Sequence, residues 1–237
     1  MATEADPARS EADASTEPAP RRSFGARLGA AVKETVIVLA MALTLSFVVK
    51  TFLVQAFYIP SQSMEDTLVT GDRVVVSKLT PGPFELSRGD VVVFEDPGGW
   101  LGEEPELTGL PKALSVVGLY PTGGHLVKRV VAVGGDRVRC CDAEGRVSVN
   151  GRALRESGYL APGQAAAAKR FDVTVPEGRL WVMGDNRGDS EDSRFHQDLK
   201  GGGTIPADNV VGKVWAVVWP LDRFDLVPRP DTYERVP

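Results

Sequence analysis

Cysteine and histidine are nearly absent from this chain of 237 residues. Its two cysteines, Cys140 and Cys141, are neighbours, and its two histidines are His125 and His196. Two cysteines make neither a four-ligand zinc site nor a disulfide framework. A bridge between adjacent cysteines has to close a short ring, so reduced thiols are expected. No His-Glu-x-x-His stretch occurs, which argues against a zinc hydrolase. Basic tracts and stacked-aromatic motifs are lacking too. With 27 Lys or Arg against 32 Asp or Glu, the net charge is −5. Nucleic acid is therefore not an expected partner. Long apolar runs are missing with one exception, and that exception organises the rest.

Residues 1–22 are rich in Ala, Glu, Asp, Pro and Ser without a hydrophobic period, as in a disordered tail. From Thr35 to Val49 there are fifteen residues without a charge; Lys50 interrupts, and the run resumes to Tyr58. A membrane span needs about 20 apolar residues. Thr35–Tyr58 reaches that length if the Lys50 stem snorkels to the headgroups. A transmembrane helix is expected over 35–58, following a tail of residues 1–34. A buried core helix and a cleaved signal peptide are the alternatives. Arg21, Arg22, Arg27 and Lys33 precede the run, whereas Glu65, Asp66 and Asp72 follow it. The positive-inside rule then puts the N-terminus in the cytoplasm and residues 59–237 outside.

The outer part reads as mostly β, about one ordinary domain in size. Short Val-rich runs lie at 73–79, 90–94, 126–133, 146–149 and 210–219, bounded by Gly, Pro, Asp and Asn. Asn150-Gly151 is a hairpin turn between Val147–Val149 and Arg152–Leu154. Long helical patterns do not alternate with these runs, which disfavours a doubly wound sheet. Residues 97–124 look like an inserted loop or long hairpin.

Two polar residues stand in informative places. Ser63 lies in Ile59-Pro60-Ser61-Gln62-Ser63-Met64, directly after the apolar run. Lys128 lies between Leu126-Val127 and Val130-Val131. A serine hydroxyl is a weak nucleophile until a neighbour takes its proton. Neither histidine has a recognisable triad context. Lysine does this work only when neutral, and a value of about 7–8 lies about 3 pH units below its reference, roughly 4 kcal/mol. Burial among apolar neighbours is the obvious source. Arg129 then points to the opposite face of the strand. On local sequence alone, a solubility lysine on an edge strand and a hydrogen-bonded turn serine read equally well.

Four segments together resemble the conserved boxes of bacterial type I signal peptidases. They are Ile59–Leu68 running into Gly71-Asp72, Arg88–Phe94, Lys128-Arg129 running into Gly135-Asp136, and Gly184–Arg194. In this order behind a single anchor, they cover residues 35–219 in outline, with 97–124 and 137–178 matching only loosely. The resemblance implies a signal-peptidase-like β catalytic domain with a small β subdomain inserted near 137–178, plus the N-terminal transmembrane helix. It implies Ser63 as nucleophile and Lys128 as general base. It implies that Ser61 and the Ser63 N–H form the oxyanion hole, that Ser190 orients the lysine, and that Asp192 and Arg194 form a supporting ion pair. Phe57, Ile59, Met64, Leu68, Leu126 and Val127 match positions that line pockets for small residues. The implied activity is removal of signal peptides from exported preproteins at the cell membrane, after small residues at −3 and −1. The implied surroundings are the bilayer and the secretion translocon. No metal or organic cofactor is expected, since serine and lysine suffice for acyl transfer.

Asp66 and Gly188 depart from the family, which often has Pro and Asp there. Trp100, Leu101, Leu107, Leu110 and Leu114 of the insert are expected to be exposed and to reach the bilayer. A penicillin-binding enzyme would need Ser-x-x-Lys on a helix, which is lacking. A self-cleaving repressor shares a Ser-Lys pair, but the anchor and the lack of a DNA-binding helix pair argue against it. The remaining alternative is a catalytically inactive, membrane-anchored paralogue that only binds preproteins.

Overall fold

The computed structural model describes residues 24–102, 124–160, 163 and 169–237. The chain divides into two units, with the boundary between Ser46 and Phe47. Helix α1 (Phe24–Val48) lies in the first unit up to Ser46, and a π-helical turn at Val49–Leu53 follows it. Within this stretch Ala31–Leu53 is long and apolar enough to cross a membrane, and none of it is buried. At 1.5 Å per residue it spans about 34 Å, against a hydrocarbon core of about 30 Å. From Thr35 to Val49 it carries no charge on any face, as a span requires and a surface helix of a soluble domain does not.

Two expectations about this region are corrected. Residues 24–34, assigned to the tail, are helical. Val54–Tyr58, assigned to the membrane helix, is strand β1, paired antiparallel with β2 (Arg73–Ser77) from Val54↔Ser77 to Tyr58↔Arg73. Val54, Phe57 and Tyr58 suit a strand as well as a span, and only the distant partner decides.

The second unit is mostly strand. The remaining strands are β3 (Val91–Glu95), β4 (His125–Val133), β5 (Arg137–Cys140), β6 (Val147–Val149), β7 (Arg152–Ala153), β8 (Phe171–Thr174), β9 (Arg179–Met183), β10 (Ile205–Pro206), β11 (Val210–Trp219) and β12 (Asp225–Leu226). Among the described residues, the large sheet runs β1-β2-β11-β3-β4-β9-β10, with β12 against β11. A smaller sheet, β7-β6-β5-β8, lies between β4 and β9 in the sequence. Asn150 (φ 52°) and Gly151 (φ 80°) turn the β6–β7 hairpin with two left-handed residues, as the Asn-Gly pair predicts.

Strand β3 shows why its sequence is an unbroken apolar run. Val91 and Val93 join a cluster with Ile59, Met64, Leu68, Val74 and Val76. Val92 and Phe94 join another with Val130, Leu180, Val182 and Trp100. Both faces of the central strand are covered, so neither alternate set of side chains is polar. A third cluster joins the two sheets, with Val131, Val138, Val147, Val149, Phe171 and Trp181 buried together.

Trp100 was expected to be exposed. It is 8% exposed, stacked on His196 with centroids 4.3 Å apart and edge-on to Phe94. Its ring has a core site within reach, and burying so large an apolar surface outweighs leaving it outside. Leu101 stays exposed, while Leu107, Leu110 and Leu114 lie outside the described residues. The expectation of reduced thiols is also corrected, because Cys140 and Cys141 are bonded to each other. Cys140 is buried in the cluster between the sheets and Cys141 packs against the same cluster, which brings both sulfurs to one side.

Candidate active site

The turn after β1 holds Ser63. Ile59, Met64 and Leu68 sink into the core at 2%, 1% and 0% exposure and anchor it from below. The Ile59 N–H donates to Asp72 O and the Gly71 N–H to Ile59 O, both at 2.9 Å, closing the loop at its neck. Asp72 Oδ2 accepts from the Val69 N–H at 2.9 Å, and Arg223 pairs with the same carboxylate. The fourth box clamps the turn from outside. The Asn186 N–H donates to Ser63 O and Asn186 Nδ2 to Gln62 O, each at 3.1 Å.

Lys128 reaches this turn from β4, where it pairs across with Val92 and shares its face. Its Nζ donates to Ser63 Oγ at 2.8 Å. Lys128 is 3% exposed, and burial lowers its pKa from 10.5 to about 8. The carboxylates of Asp192 and Asp185 oppose that fall, and the Arg194 guanidinium adds to it. Ser61 Oγ stands 3.4 Å from Ser63 Oγ. Among the described residues, no hydrogen bond takes up the Ser63 N–H. Neither histidine bonds to Ser63: His196 Nδ1 lies 2.9 Å from Asp192 O, and the His125 ring packs against Phe57.

Ser190 departs from expectation. Its hydroxyl donates to Asp192 Oδ2 at 2.9 Å, and among the described residues no hydrogen bond joins it to Lys128. Asp192 takes the Ser190 proton because it is charged and two residues away on the same loop. Asp192 and Arg194 form the expected ion pair, with Nε to Oδ1 and Nη2 to Oδ2 both at 2.8 Å and neither side chain exposed. Asp192 Oδ2 also accepts the Gly184 N–H. Gly184 has to lack a side chain, because a Cβ there would meet the Ser190 side chain and the Ser63 carbonyl.

The pocket positions divide. Phe57 and Val127 are half-buried against the cluster that contains Ile59, Met64 and Leu68. The last three are covered and form a floor. Leu126 packs instead with the Val92 and Phe94 cluster, on the Lys128 face of β4.

Sequence reasoning missed Arg129 and Asp185. Arg129 is 1% exposed, with Nε and Nη2 on the two oxygens of Asp185 at 2.8 and 2.6 Å and Nη1 on Gly89 O. Thr67 Oγ1 donates to the same Asp185 at 2.6 Å. This bidentate pair joins three of the four boxes with the Ser63 turn. The available signal was Arg129 itself, since an arginine inside a Val-rich strand requires an acid nearby. Arg187 and Glu156 were missed as well; they tie the segment after β7 to the fourth box at 2.6 Å, with Glu156 also accepting from Tyr159.

A buried serine–lysine contact with a charged support loop is the arrangement that the sequence boxes imply. The family model for signal peptidases, peptidase S26, matches residues 32–219. The chain is 40% identical over 228 residues to the probable signal peptidase I of Mycobacterium leprae, covering 82% of this chain and 78% of that one. It is 38% identical over 223 residues to signal peptidase I of Mycobacterium tuberculosis, covering 83% and 75%. Among solved structures, a signal peptidase I from Enterococcus faecalis aligns over 55% of this chain and 97% of its own, at 21% identity and a TM-score of 0.36. On the family match and the mycobacterial relatives, this chain belongs to the peptidase S26 family of signal peptidases.

Proposed function

We propose that the chain is a membrane-anchored serine endopeptidase that removes signal peptides from exported preproteins, with Ser63 as nucleophile and Lys128 as general base. The observation that carries this reading is the 2.8 Å contact from Lys128 Nζ to Ser63 Oγ, made by a lysine whose pKa burial brings to about 8. A neutral amine at that distance accepts the hydroxyl proton as Oγ attacks the scissile carbonyl. The Ser63 N–H and the Ser61 hydroxyl receive the negative charge that develops on the carbonyl oxygen. The Lys128 ammonium then returns the proton to the leaving amine, which departs as the new N-terminus of the mature protein. A water, deprotonated in turn by Lys128, hydrolyses the acyl-enzyme and frees Ser63.

The apolar lining by Phe57 and Val127 over Ile59, Met64 and Leu68 supports acceptance of small residues at −3 and −1 and rejection of bulk by overlap. Ser190 supports the base through Asp192, and Asp192 with Arg194 holds the loop in place. The helix at 31–53 anchors the enzyme in the cell membrane, with the N-terminus in the cytoplasm and the catalytic unit outside, near the translocon that delivers its substrates.

The purified full chain in detergent should cleave a preprotein at an Ala-x-Ala site. Ser63→Ala and Lys128→Ala should each abolish that cleavage while the protein stays folded. Substantial residual activity in either variant removes that residue from its role.

A further inference from the structure

The smaller sheet has a charge balance opposite to that of the whole chain. Residues 137–178 hold seven Lys or Arg against five Asp or Glu, in a chain of net charge −5. Some of these cations are neutralised. Arg137 is held by both oxygens of Asp172, and Arg146 by Asp142 and Glu144. Arg152 and Arg155 are exposed on and just after β7, and Arg235 is exposed two residues beyond Tyr233. Among the described residues none of these three has an ion-pair partner.

The three unpaired arginines share one concavity. It measures about 320 Å³, Arg146 and Thr232 also line it, and no carboxylate does. Thr232 Oγ1 accepts the Arg155 N–H at 2.8 Å, so its own O–H is available as a further donor. Solubility alone does not ask for like charges around one hollow, where they repel one another. Guanidinium forks with a hydroxyl and no acid complement a compact oxyanion of more than one negative charge. One fork satisfies a single carboxylate, whereas several forks on one hollow suit phosphate.

We propose that this concavity on the smaller sheet is a binding site for a phosphate-bearing anion, formed by Arg152, Arg155, Arg235 and Thr232. It belongs to a different sheet from Lys128 and does not depend on the peptidase reading. An acidic phospholipid headgroup and a soluble polyphosphate share the chemistry.

The full chain in a non-ionic detergent is titrated with tripolyphosphate by calorimetry. Saturable binding is expected, weakening as salt is raised. The triple variant Arg152→Gln, Arg155→Gln, Arg235→Gln is expected to bind about tenfold more weakly or worse, whereas Arg137→Gln, whose guanidinium is already engaged by Asp172, is expected to change little. No saturable binding by the unaltered chain, or equal binding by the triple variant, overturns the proposal. Repeating the titration with phosphatidylglycerol in the micelles identifies the source. A weaker apparent affinity for tripolyphosphate assigns the site to headgroups, and an unchanged one assigns it to soluble phosphate; both support the site.

Discussion

Replacing Lys128 by methionine should abolish cleavage and raise the protein's stability, relative to the unaltered chain, more at neutral pH than at pH 10. The buried amine has a pKa of about 8 in the folded protein, against 10.5 for an ordinary lysine. Between those values the unfolded chain holds a proton that the folded chain has released. Unfolding there takes up a proton, so the stability of the unaltered protein rises with pH through this window. Below pH 8 both states are protonated and the full cost of burying the charge is present, about 3 kcal/mol. At pH 10 it has fallen to about 1 kcal/mol. Methionine is apolar, of similar length, and indifferent to pH. The stability of Lys128→Met relative to the unaltered protein should thus be about 2 kcal/mol higher at pH 7 than at pH 10, or about 4–8 °C in Tm for a unit of this size. Packing changes and the lost contact with Ser63 are common to both pH values and cancel in the comparison. Thermal unfolding of the two full-length proteins in detergent at pH 7 and pH 10 measures it. A stability difference that stays the same between the two pH values would refute the claim that Lys128 is buried at the cost of its charge.

Other substitutions test the remaining parts of the site. Ser61→Ala should lower kcat by about 10²–10³ with little change in KM, read from cleavage kinetics, because the oxyanion donor acts only in the transition state. Gly184→Ala should lose activity and about 1–3 kcal/mol of stability, since its Cβ meets Ser190 and the Ser63 carbonyl; chemical unfolding and cleavage check both. Asp192→Asn should cost about 3–5 kcal/mol in denaturant unfolding, because it leaves the fully buried Arg194 unpaired. In whatever fraction folds, the base limb of the pH profile should move to lower pH, because Asp192 is the first of the charges that raise the Lys128 pKa. Trp100→Ala should destabilise the fold by about 3 kcal/mol through the lost burial and the cavity left between Phe94 and His196, seen as a lower Tm in the same detergent.

Legibility in the sequence followed the range of the interactions. Val210–Trp219 and the Asn150-Gly151 hairpin were readable because strand propensity and turn chemistry are local. The Ser63 turn and the Lys128 strand were readable because each box carries its residues close together. Strand β1 was hidden in the apolar run, since Val54–Tyr58 looks alike in a bilayer and in a sheet edge. Trp100 was misread because the ring it stacks on, His196, lies far along the chain, so that nothing near Trp100 in the sequence announces it. The Arg129–Asp185 pair lies 56 residues apart and its necessity shows only when Arg129 is seen to be buried. Ser190 was placed in the right loop, but local geometry turned its hydroxyl to Asp192, and no spacing in the sequence announces that choice.

The central claim is that a neutral, buried Lys128 activates Ser63. Its most direct test is the pH dependence of kcat/KM for cleavage of a preprotein with an Ala-x-Ala site, measured on the full chain in detergent beside Ser63→Ala. The account predicts cleavage at that site, rising with pH through a single base near 8 and absent from the variant. Cleavage governed by a base near 6.5, the value of an ordinary histidine, or cleavage that persists in Ser63→Ala, would contradict it.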